Sequence, residues 1–184
     1  MVDRLRTLIS CCYPELLFAF FIYGAGGIIG VVLSSEIAAE PSRFVPLQRF
    51  DPYYEAYPII KNNLKGIIYL ISGLLSFGVS TAIILVYNGV TLGDGIVASL
   101  QVMPASDVFL RLVPHGLIEI AGIMLGSAAG FQSLICLLAS LRGKEVKLDI
   151  YLRKFCGLLF LSISLIVLAG FIEAYITVIF INQG

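Results

Sequence analysis

The chain is short of charge, has no tryptophan, and carries a single histidine, His115. Only 13% of its 184 residues are Asp, Glu, Lys or Arg, against 59% hydrophobic. A soluble domain has about 25% charged residues. The positive and negative residues cancel to a net charge of zero, which removes the electrostatic argument for a nucleic-acid partner. One histidine rules out zinc motifs that need two. Cys11, Cys12, Cys136 and Cys156 show neither zinc-finger nor redox spacing. There is no nucleophile elbow, no glycine-rich phosphate loop and no HExxH pattern.

What remains is apolar length. Mean hydropathy is +0.97, and several runs reach the roughly 20 residues that a membrane-spanning helix needs. The expected fold is all-α: a polytopic transmembrane bundle in one domain, with four long spans and a weaker embedded third segment. The long spans are Leu16–Leu33, Leu64–Tyr87, Pro114–Ala139 and Phe155–Ile181, and the weak segment is Val90–Val113. The first run is expected to be a retained anchor, not a cleaved signal. Residues 34–63, rich in proline and tyrosine, are expected to form an interfacial connection. Asn88-Gly89 looks like the end of the second span, and Pro114 like the first position of the central helix. Cys11 and Cys12 flank the first span, where palmitoylation is one reading and inert packing the other.

The central run carries the chemistry. On a helix, His115, Glu119, Gly122, Gly126, Gly130 and Ser133 fall on one stripe, because residues three and four apart lie above one another. A lipid-facing helix gains nothing from such a stripe. A close helix–helix contact does, since small residues let backbones approach. Gly26-x-x-x-Gly30 in the first span is a second face of this kind, and Gly170 lies near Glu173 in the last. These faces could serve contacts within one chain or between copies in a homo-oligomer. The last two spans are joined by a short loop and run antiparallel. Glu119 and Glu173 then sit roughly 8 Å and 12 Å from the same surface, at 1.5 Å per residue, with His115 at that surface.

Three readings of His115, Glu119 and Glu173 follow. They can lock the bundle structurally; they can line a wet path for protons, ions or a small solute; or they can bind a metal such as zinc for hydrolysis. Two ionised carboxylates close together repel, so one is expected to hold a proton at neutral pH.

The basic residues weigh on topology through the positive-inside rule. Five spans with the N-terminus inside place Arg4, Arg6, Arg142, Lys144, Lys147, Arg153 and Lys154 inside. Four spans with the N-terminus outside place Arg43, Arg49, Lys61 and Lys65 inside instead of Arg4 and Arg6. Counting alone leans toward four.

The chain resembles the stage II sporulation protein M (DUF95) family of integral membrane proteins. The resemblance is carried by Asn63, Asn88-Gly89, Gly93, Pro114-His115-Gly116-x-x-Glu119, Ala128-Ala129-Gly130 and Gly170-Phe-Ile-Glu173-Ala174-Tyr-Ile-Thr177. It adds Asn63, Asn88 and Thr177 to the polar intramembrane set, and it implies about five spans. For spore-formers it also implies a non-enzymatic scaffold that recruits wall hydrolases at the cell membrane. No cofactor is implied, and the partners are the bilayer and extracytoplasmic or membrane proteins. The alternative is a transporter or channel using His115, Glu119 and Glu173, with an intramembrane metal-dependent hydrolase a minor third. A dry, fully bonded His115–Glu119 contact would favour the scaffold, and a polar cavity open to one surface would favour transport.

Overall fold

The computed structural model describes residues 12–37 and 56–177, with side chains for 12–36 and 56–175. The expected interfacial connection lies mostly outside the described residues, as does Cys11. The described residues are helical: α1 (Tyr13–Ile37), α2 (Ala56–Ile71), α3 (Val79–Leu100), α4 (Ala105–Gly130), α5 (Gln132–Leu141) and α6 (Leu148–Phe171). Four helical stretches are long and apolar enough to cross a membrane: 13–36, 79–100, 105–141 and 148–175. The protein is a multi-pass helical membrane protein.

Element boundaries differ from the sequence expectation in instructive ways. The run Leu64–Tyr87 is not one helix. After a short tight-helical stretch, Ser72–Leu74, the chain turns through Phe77 (φ 49°) and Gly78 (φ 85°). Gly78 adopts that left-handed geometry without the Cβ penalty of other residues. Its N–H reaches back to the Gly73 carbonyl at 2.8 Å. The shorter fifth element is therefore α2, about 24 Å long at 1.5 Å per residue. Val90–Val113 is instead shared between α3 and α4, which part at Gln101–Pro104. Asn88-Gly89 is not a turn. It sits inside α3, where Asn88 donates to the Ile84 carbonyl at 2.8 Å. Nor does Pro114 start a helix: Pro104 caps α4, and Pro114 lies within it.

Glycine contacts set the directions of the helices. Gly26 faces Val86 and Gly30 faces Val90, so α1 and α3 run parallel. A Cβ on Gly26 would fall 2.5 Å from the Val86 carbonyl oxygen. From the other side, Gly89 and Gly93 meet the α1 backbone at Tyr23 and Gly27. Each glycine inside a helix costs roughly 0.5–1 kcal/mol relative to alanine; the backbone approach offsets this. Ser34 of α1 also donates to Asp94 of α3.

The stripe on α4 works the same way against different partners. Gly122 lies against Ile166 and Ser162 of the antiparallel α6, and Gly126 against Ser162 and Ile67. Gly130 lies against the Leu70 carbonyl and Thr81. Hydroxyls reinforce these contacts: Ser162 donates to the Gly122 carbonyl at 2.7 Å, and Thr81 to that of Leu70 at 2.7 Å. Gly170 faces Ile60 of α2. Both glycine faces are thus occupied within one chain. The core between them contains Ala19, Ile67, Leu70, Leu85, Met124, Phe131 and Ile166. Cys12 is fully buried against Ala128, Ala129 and Leu158.

Candidate functional site: a polar cavity between α2, α4 and α6

The core fills the bundle toward the end that carries the loop 142–147. Toward the opposite end polar side chains line cavities between the helices. A cavity of about 350 Å³ is bounded by Pro58, Ile59, Asn62 and Asn63 of α2, His115 and Glu119 of α4, and Glu173. His115 and Glu173 also face a second cavity, of about 310 Å³, with Thr91 and Ser99 of α3 and Arg111 of α4. Glu119 also faces a third, of about 250 Å³, with Tyr23 of α1 and Asn88 of α3. The shared walls make His115, Glu119 and Glu173 the centre of one polar region. All three are half-buried, while Asn62 and Pro58 at the α2 edge are exposed.

Local structure explains the placement. His115 and Glu119 are one turn apart on α4, and the same stripe continues into Gly122, whose contact with α6 fixes the two helices at close range. Glu173 is not on regular α-helix. Ile172–Thr177 form a π-helical turn at the end of α6, which rotates the chain relative to an α-helical continuation. π-Turns are rare and recur at functional sites. Ala174, on the same turn, is buried with Ala56 and Ile59 of α2, so the turn is anchored where Glu173 faces the cavity.

The arrangement gathers Asn63, His115, Glu119 and Glu173 at one cavity and puts Asn88 on the adjoining one. Thr177 lies in the π-turn, with its side chain outside the described residues. Among the described residues, neither Glu119 nor Glu173 has a Lys or Arg nitrogen within 4.0 Å. Arg111 lines the neighbouring cavity without forming such a pair. Among the described residues no three His, Cys, Asp or Glu groups are placed to hold a metal ion. His115, Glu119 and Glu173, the zinc ligands considered from sequence, share the cavity without being grouped that closely in this structure. Two carboxyls, an imidazole and two amides can instead accept or donate hydrogen bonds to a hydrated cation, a proton-carrying water chain or a small polar solute.

Sequence reasoning passed over Tyr23 and Thr91 as cavity residues. Tyr23 had a signal, since it lies three, four and seven residues before Gly26, Gly27 and Gly30 on the buried face of α1. It also passed over the ion pair between Glu15 and Lys154, which no spacing rule reveals.

Comparison with known proteins agrees with this architecture. The family model described as Stage II sporulation protein M matches residues 17–178. An uncharacterized protein of Methanocaldococcus jannaschii is 31% identical over 170 residues, covering 88% of this chain and 93% of that protein. No solved structure matches the chain.

Proposed function

This chain belongs to the stage II sporulation protein M family, and on that footing we propose that it binds and conducts a proton, a cation or a small polar solute through the cavity of His115, Glu119 and Glu173 in the cell membrane. One observation carries the reading: two carboxyls with no Lys or Arg within 4.0 Å among the described residues share a cavity of about 350 Å³ with His115 and with exposed Asn62 at its edge. A purely structural lock would bond those carboxyls to neighbours, because an unpaired buried polar group is costly. Intramembrane carboxyls facing a cavity are a recurrent mark of ion and proton paths. The core on the opposite side supports a site open to one face at a time, as a carrier with alternating access requires, not a permanently open pore.

Family membership favours a second reading, a non-enzymatic scaffold that recruits other proteins at the membrane. The two separate in proteoliposomes with a lumenal pH dye and imposed proton, sodium and potassium gradients. Conduction by the wild type and its loss in Glu119→Gln, with the fold retained, supports the cavity reading. Equal, background-level traces for both proteins under every gradient reject it in favour of the scaffold.

A further inference from the structure

A further cavity lies at the other end of the bundle. Its volume, about 760 Å³, falls within the range of roughly 300–1,000 Å³ occupied by small-molecule sites. Its walls come from α5, the first turns of α6 and the turn after α2. Leu74, Phe77, Leu137, Leu148, Leu152 and Phe155 make it mainly apolar. Phe77, Leu148 and Leu152 are exposed, so an apolar body can enter from the surrounding membrane.

Gln132 stands out among the polar residues of this wall, which include Ser133, Ser140, Asp149 and Tyr151. It is only 2% exposed, and its amide nitrogen is used: Nε2 donates to the Ala128 carbonyl at 2.8 Å. Its Oε1 is buried with no hydrogen-bond partner among the described residues. A buried acceptor left unpaired costs about 1–3 kcal/mol. The neighbouring Ser133 hydroxyl does not serve it, being committed to the Gly73 carbonyl at 3.2 Å. Among the described residues the only lining residue charged at neutral pH is Asp149, and Arg153 already pairs with it at 2.7 Å.

We infer that this cavity holds an uncharged membrane lipid with a hydroxyl head, whose chain lies among the leucines and whose O–H donates to Gln132 Oε1. The charge balance selects this class. Among the described residues no cation lines the cavity to hold a phosphate, and the one lining carboxylate is already matched, so an ammonium head gains nothing. A hydroxyl supplies the donor that Gln132 lacks, and the apolar walls accept the chain. The site is separate from the cavity of Glu119 and independent of whether that cavity conducts.

The test uses the full chain in lipid nanodiscs and hexadecanol bearing a photoreactive diazirine, compared with the same chain ending in phosphate or trimethylammonium. Peptide mass spectrometry locates the crosslinks. The alcohol should label residues 132–155 several-fold more than either charged probe. Gln132→Leu should reduce that preference about five-fold, the size expected of one hydrogen bond. Ser140→Trp, at an exposed rim position, should suppress labelling with the fold unchanged and so carries the test if Gln132→Leu fails to fold. Equal labelling by all three heads, an unaltered preference in Gln132→Leu, or crosslinks spread over α1 instead would each overturn the assignment.

Discussion

Lys154 of α6 donates to Glu15 of α1 at 2.6 Å, with both side chains largely buried, at 14% and 4% exposure. The pair fixes the first turn of α1 beside the start of the last span, so both lie at the end that carries the basic loop. From there α1, α3 and α6 run away from that end, while α2 and α4 return to it. The helix directions thus alternate along the chain, with α2 shorter than the four stretches that are long and apolar enough to cross a membrane. This alternation keeps Arg142, Lys144, Lys147 and Arg153 on one side, as the positive-inside rule requires.

Breaking that pair from one side should be severe. Lys154→Met leaves Glu15 buried without its cation, and removing one partner of a buried pair costs about 3–5 kcal/mol. Joint replacement, Glu15→Leu with Lys154→Met, should recover most of the loss. Thermal unfolding of the three variants in one detergent checks this. A double variant no better than the single one would contradict it.

The glycines divide into two groups with opposite expected effects. Gly24 has open space around its Cβ position, whereas Gly26 has the Val86 backbone there. Gly24→Ala should stabilise by up to about 1 kcal/mol through helix propensity. Gly26→Ala should destabilise, because main chain cannot rotate aside as a side chain can. Melting temperatures shifting in the same direction for both would refute the close α1–α3 contact.

Much of this was legible in the sequence, and the failures share a cause. The class followed from apolar run length. The convergence of Glu119 and Glu173 followed from two antiparallel helices joined by a short loop, and the α4 stripe followed from its period. The turn at Gly78 was hidden because Leu74, Leu75 and Phe77 keep the local hydropathy high through it. Asn88-Gly89 carries turn chemistry, yet Gly89 is there for the approach of α1, a long-range demand that overrides local preference. Pro114 suits a helix start, but Ala105 already follows Pro104 with Asp107 in the first turn. The Glu15–Lys154 pair joins residues too distant for any spacing argument.

The turn makes its own prediction. Gly78→Ala places a Cβ at positive φ and 2.6 Å from the Phe131 ring. The conformational part alone costs about 1–2 kcal/mol. Adding Phe131→Leu should relieve the contact but not the backbone strain, so it should recover only part of the loss on chemical denaturation. Full recovery would show that the backbone geometry at Gly78 is not demanding.

Direction can be read by labelling. In a chain freed of native cysteines, Gln101→Cys and Lys144→Cys, both at exposed positions, should react with an impermeant thiol reagent from opposite faces of an oriented membrane. Reaction of both from one face would contradict the alternation of α3, α4 and α6.

The central claim is that the space around Glu119 and Glu173 is a wet site open to one face. The same cysteine-free background with Glu119→Cys or Glu173→Cys, treated with a small cationic thiol reagent from each side in turn, tests it most directly. The account predicts reaction at both positions from the face that also labels Gln101→Cys, and protection from the face that labels Lys144→Cys. Failure to react from either face, in a protein that still folds, would show a dry polar lock and contradict the account.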